Sequence, residues 1–206
     1  MKRWYSLFLL LPALVLAGSH AAFAAPRCPP PAQPARVNIT TAPAKVVYKT
    51  GHSRSDLKRM QRAKGRHQGA GNWRVLGLTL TEFRYAIKTS ARLIPINGGG
   101  YCAQPVSYDL TIGFSDFLVH IDRQYRRGSC EFAAIRDHEI SHVTLFRSNL
   151  SRYMPIIRRQ AREAAARVRS VSVRDPNSGA ERLQDQMQRR MNPLISKLNR
   201  EADKSN

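Results

Sequence analysis

"SCEFAAIRDHEISHVTLFRSNLSRYM", Ser129 to Met154, decides how the fold is read. Its apolar residues Phe132, Ile135, Val143 and Phe146 recur at helical spacings, and no proline interrupts them before Pro155. The residues upstream follow a different period. In "TEFRYAIKTS", Thr81 to Ser90, Phe83, Tyr85 and Ile87 alternate with Glu82, Arg84 and Lys88. In "PVSYDLTIGFS", Pro105 to Ser115, Val106, Tyr108, Leu110, Ile112 and Phe114 alternate with small or polar residues. A period of two with one apolar face predicts strands, and the glycine run Gly98-Gly99-Gly100 between them predicts a hairpin loop. No helix-opening sequence follows that run, so it is not read as a phosphate cradle. Strands come first and helices after, which predicts an α+β architecture: an N-terminal antiparallel sheet followed by a helical half.

Outward from this junction, "VNITTAPAKVVYKT", Val37 to Thr50, is β-branched and broken by Pro43, which predicts one or two short strands. "SRSDLKRMQRAKG" predicts a short helix capped by Ser53 or Ser55 and stopped at Gly65. A second long helix is expected from about Pro155 to Val171, with Pro155 in its first turn and an apolar stripe of Ile157, Ala161, Ala164 and Val168. Beyond it, Met187, Met191, Leu194 and Leu198 predict one more amphipathic helix, bent near Pro193, within a charged tail. The expected divisions are a signal segment at 1–24, a Pro-rich linker at 25–36, a single zincin-like α+β domain at 37–173, and a charged, partly helical tail at 174–206.

Within the opening stretch lies His138-Glu139-Ile140-Ser141-His142. Residues four apart on a helix point the same way from adjacent turns, so two imidazoles can converge on one metal ion. The glutamate beside the first histidine is offset by one residue, which in H-E-x-x-H metalloproteases makes it the general base for water activated at zinc. His138 and His142 are therefore the candidate zinc ligands and Glu139 the candidate base. The competing reading is two half-exposed histidines on a helix face, with Glu139 in water.

A catalytic zinc needs a third protein ligand. No H-x-x-G-x-x-H extension follows His142, which argues against a metzincin. Glu163, the only acidic residue between His142 and Asp175, is the expected third ligand; its alternative is an ion pair with Arg159 or Arg167. His120, at the end of a strand-like run, is the next candidate, ahead of His52 and His67 in polar loop sequence. Asp137 is read as a surface charge or a hydrogen-bond acceptor for a neighbouring group, not as a ligand.

Lys2 and Arg3, the apolar run "WYSLFLLLPALVLAG" and Ala22-Phe23-Ala24 together read as a secretory signal, so a periplasmic, cell-envelope or secreted location is expected. The formal charge is +20, and losing Lys2 and Arg3 with the signal leaves about +18. For an exported chain the polyanions within reach are anionic envelope polymers and membrane surfaces, not nucleic acid. The basic runs "RQYRRG" and "RRQAREAAARVR" are solvated faces or a surface for such a partner. An exported chain can hold disulfides, and a Cys102–Cys130 bridge is expected, leaving Cys28 over.

Gly77-Leu78-Thr79 turning into a strand, Cys102 before another strand, then His138-Glu139-x-x-His142 on a helix form an order that resembles the bacterial family catalogued as domain of unknown function 922, described as secreted zinc-dependent proteases. The resemblance spans about Val37 to Val171. It implies His138 and His142 as zinc ligands and Glu139 as base, and it supplies neither a substrate nor a third ligand. The expected function is an exported zinc metallopeptidase acting on protein or peptide substrates, peptidoglycan peptides included. The alternative is a non-catalytic basic envelope protein that binds anionic polymer or membrane.

Overall fold

The structure is a computed structural model, and it describes residues 28–64 and 74–204. The expected signal segment at 1–24 and His67 lie outside these residues. In chain order the elements are β1 (Arg36–Ala42), β2 (Val46–Lys49), α1 (Arg54–Ala63), β3 (Gly77–Leu80), β4 (Phe83–Pro95), β5 (Tyr101–Phe114), β6 (Phe117–Ile121), α2 (Cys130–Ala166), β7 (Val171–Val173) and α3 (Ser178–Lys204). The α+β class is the one the two periods predict.

The longest pairing is the β4–β5 hairpin. Tyr85 opposes Ile112 and Ile87 opposes Leu110, so the alternating apolar residues share one face. Gly98, Gly99 and Gly100 turn the hairpin at φ of 89°, 91° and 98°, a backbone region that glycine enters without steric penalty. β3 with β6 and β7 with β5 are also antiparallel, but two other pairings depart from the all-antiparallel expectation. β1 runs parallel to β5, with Val37 beside Tyr108 and Ile39 beside Leu110, and β2 runs parallel to β6. Parallel partners need long crossover connections, and here α1 and the hairpin supply them. Apolar alternation reports which face is buried and carries no information on strand direction. The result is two sheets, β1-β5-β4 with β7 also on β5, and β2-β6-β3.

α2 is one helix of 37 residues, not two. Its buried stripe runs Phe132, Ile135, Glu139, Val143, Phe146, Leu150, Tyr153, Ile157, Ala161 and Ala164, at steps of three and four throughout. Pro155 lies inside it. A proline in a helix interior costs about 3 kcal/mol, while burying a single Leu or Ile side chain contributes about 1.5–3 kcal/mol. Leu150, Tyr153 and Ile157 flank Pro155 on the buried face, so packing outweighs the lost hydrogen bond. The helix stops at Ala166 and the expected helical end at Val171 is instead the start of β7, paired antiparallel with Tyr101–Ala103. α3 follows, and its Leu183, Met187, Met191 and Leu198 are buried in the same core as the β5 and α2 side chains. A smaller core of Leu57, Val75 and Leu78 lies between α1 and the other face of β3.

The disulfide joins Cys28 to Cys102, and Cys130 is free and exposed. This corrects the Cys102–Cys130 expectation. Cys130 opens α2, a helix about 55 Å long at 1.5 Å per residue. Cys102 sits beside β7, which follows the other end of that helix, far beyond the Cα separation a disulfide can bridge. No described helix is long and apolar enough to cross a membrane, and the disulfide is compatible with an exported protein.

Candidate metal centre

Ser129 caps α2, its hydroxyl accepting from the Phe132 amide at 3.1 Å, and the helix then carries His138 and His142 on adjacent turns. Their Nε2 atoms lie 3.2 Å apart, with the ring planes at 88°. Two nitrogens each about 2.05 Å from a tetrahedral zinc ion would be separated by about 3.3 Å. The pair is thus already spaced as metal ligands. His138 is exposed and His142 half-buried, so one side of the site opens to solvent.

Glu139 belongs to the buried stripe of α2, at the position between Ile135 and Val143, and is only 4% exposed. A carboxylate there needs a partner, and β3 provides it: the Thr79 hydroxyl donates to Oε2 at 2.8 Å and lies 3.1 Å from the Glu139 carbonyl oxygen. β3 can approach this closely because residue 77 is glycine. A Cβ there would fall 2.6 Å from Glu139 Oε1 and 2.8 Å from an Ile135 methyl. Burial pushes the Glu139 carboxyl above its usual range, opposed by the Thr79 hydrogen bond and the charge of the two histidines. The ligand atoms of His138, Glu139 and His142 all lie within 4.8 Å of one another, and the three could hold a metal ion.

The other candidates do not join them. Glu163 is on the same continuous helix, 21 residues past His142, which places it about 30 Å away along the axis. It is exposed, with Arg159 Nε 4.0 Å from its Oε1. The expected role as third ligand required a turn between two helices, and the unbroken α2 removes that turn. His120 opposes Leu78 across β6 and β3, facing α1, whereas Thr79 and Val119 face α2. Its ring lies against that of His52, centres 4.9 Å apart and planes tilted by 54°, on the opposite side of the sheet from His138. Asp137 is exposed and pairs with Arg136 at 2.7 Å, a surface charge as expected.

No family model, curated protein or solved structure matches this chain. The site therefore has to be interpreted from its own geometry. Sequence reading found the three converging residues and missed Thr79 and Gly77, the two that hold Glu139 in place. The signal for Glu139's burial was present: Ile135 and Val143 are eight apart, and the position midway between them falls on the same apolar face.

Proposed function

We propose that the chain is an exported zinc-dependent peptidase that hydrolyses amide bonds of protein or peptide substrates in the periplasm or cell envelope, built on a zincin-like arrangement of helix against sheet. The single observation that carries this reading is the 3.2 Å spacing of the His138 and His142 Nε2 atoms with the Glu139 carboxylate beside them. Two imidazole nitrogens at this spacing suit zinc, a borderline-soft ion that takes nitrogen ligands at tetrahedral angles; Glu139 is kept as the base, and among the described residues no further His, Cys, Asp or Glu joins the pair as a third ligand. The resemblance to the secreted-protease family points the same way. Bound zinc would supply Lewis acidity, bringing the pKa of water near neutrality and polarising the scissile carbonyl.

The residues of the chain do the proton work. Glu139 accepts the proton of the attacking water and delivers it to the departing amine nitrogen, so it ends the cycle as it began. Its burial raises the proton affinity of the carboxylate, which favours that uptake. Thr79 holds one carboxylate oxygen, so the side chain is oriented before substrate arrives. The exposed side of His138 leaves room for a polymeric substrate to approach from outside the sheet.

The test is elemental and kinetic together. The purified protein should carry zinc, and His142→Ala should lose it. Glu139→Gln should keep the zinc and lose hydrolysis by about 10²–10⁴-fold. If Glu139→Gln and the parent are equally inert on casein, peptides and murein fragments, the chain is instead a basic envelope-binding protein with a non-catalytic metal site.

A further inference from the structure

A cavity of ≈ 360 Å³ lies between residues 31–36 and the outer face of β4 and β5, toward the β7 end of α2 and away from the histidines. One wall is the Pro-rich stretch, which the sequence alone presents as a linker. It is fixed in place at three points. Cys28 is bonded to Cys102. The buried Gln104 side-chain amide donates to the carbonyls of Pro29 and Pro30, each at 3.2 Å. The Ser170 hydroxyl donates to Pro29 O at 2.8 Å. Prolines at 29, 30, 31 and 34 restrict the backbone further, so this wall is pre-organised before any ligand arrives.

The opposite wall contains a β-bulge in β5, where Val106 is the extra residue between Ser107, opposite Ser90, and Pro105, opposite Ala91. Pro105 sits beside the bulge on the same strand, where the outer neighbour of β5 changes from β1 to β7 and no ladder donor is required. Two arginines complete the cavity: Arg36, the first residue of β1, and Arg92, opposite Gln104 on β4. No Asp or Glu lines it. Neither arginine has an ion-pair partner among the described residues. Two guanidinium groups facing one space repel each other, and each presents a planar fork of donors that matches a carboxylate or phosphate. The rest of the lining combines the apolar Pro31, Pro34 and Pro105 with the side-chain amides of Gln33 and Gln104.

We propose that this cavity is a binding site for a small organic anion, of dipeptide or monosaccharide size, whose carboxylate or phosphate is held between Arg36 and Arg92 while its carbon frame lies against the proline rings. Its volume falls within the range of small-molecule sites. The disulfide makes the site conditional on an oxidising environment, because without it the arm loses its covalent attachment to β5.

The experiment titrates the full oxidised chain with glucuronate, glucose 6-phosphate and uncharged glucose at constant ionic strength, followed by calorimetry or amide shifts. Saturable binding at one site is expected for at least one of the two anions, with glucose silent; which anion binds more tightly separates the carboxylate source from the phosphate source. Arg36→Gln and Arg92→Gln should each weaken it by about tenfold or more, the scale of a charge-assisted hydrogen bond. Cys28→Ser with Cys102→Ser should weaken it similarly. Arg159→Gln, on the exposed face of α2, should leave it unchanged, and the zinc content of every variant should equal that of the parent. The proposal fails if neither anion saturates in the millimolar range, if glucose competes with them, or if the Arg36 and Arg92 variants titrate as the parent does.

Discussion

Gly77 has no room for a side chain, and that lack of room sets the height of the candidate base above the sheet. A methyl added there would meet Glu139 Oε1 at 2.6 Å, Glu139 Cγ at 2.8 Å and an Ile135 methyl at 2.8 Å. Overpacking of this kind costs about 1–3 kcal/mol and is relieved by moving the helix. Gly77→Ala should therefore lower the melting temperature and weaken zinc binding together. Gly179→Ala makes a matched control, since its Cβ would meet Ala103 at 2.8 Å and Leu93 at 3.0 Å, away from the histidines. It should destabilise without changing zinc affinity. His120 tests a different property. It is 5% exposed, and burial first, then His52 and Lys49, hold its pKa below the ordinary 6.5. The unfolded chain takes up this proton near 6.5 while the folded chain still refuses it. Stability should thus fall as pH drops through 6.5, until the folded-state value is passed. In metal-free urea unfolding, the parent should lose more stability between pH 7.5 and pH 5.5 than His120→Gln does. Equal losses would show that His120 does not titrate differently in the two states.

At the scale of elements, α2 shows what periodicity can and cannot report. The apolar steps from Phe132 to Phe146 and from Ile157 to Ala164 were each legible as helix. Their fusion was not, because Pro155 favours a boundary locally and only the tertiary burial of Leu150, Tyr153 and Ile157 decides against it. That one junction carries the misplacement of Glu163: with two helices it could fold back on the histidines, and with one it lies turns away on the same rod. Pro155→Ala restores the amide that can bond to the Ser151 carbonyl. It should raise stability by about 1–3 kcal/mol, or several degrees in melting temperature, provided the helix keeps its path. A drop in melting temperature would mean that the packing depends on a proline-specific bend. The H-E-x-x-H pair was legible for the opposite reason: i to i+4 geometry is purely local. The supporting Thr79 and Gly77 come from β3, about sixty residues earlier, and no local pattern couples them to the helix.

At the scale of the whole molecule, the charged tail has to be explained. Its composition suggests a solvated appendage, and its stripe of Met187, Met191 and Leu198 suggests a helix with one apolar face. What that face meets is set a hundred residues earlier. α3 packs on β4, β5, β7 and α2, and Leu183, Met187, Met191 and Leu198 are 0–2% exposed. Gly179 lets the helix start directly against Ala103 and Leu93. Each of those four side chains contributes about 1.5–3 kcal/mol by burial, together about 6–12 kcal/mol. A domain has only about 5–15 kcal/mol of net stability, so losing α3 removes an amount comparable to the total. A chain ending at Arg174 would expose the α3-facing sides of β4 and β5 and leave β7 without its cover. It should show no cooperative thermal transition, should be cleaved rapidly by trypsin at its many arginines, and should bind no zinc, although His138, Glu139 and His142 are all still present. A truncated chain that unfolds cooperatively and retains zinc would show instead that α2 and the β2-β6-β3 sheet hold the metal centre by themselves, with α3 an added layer.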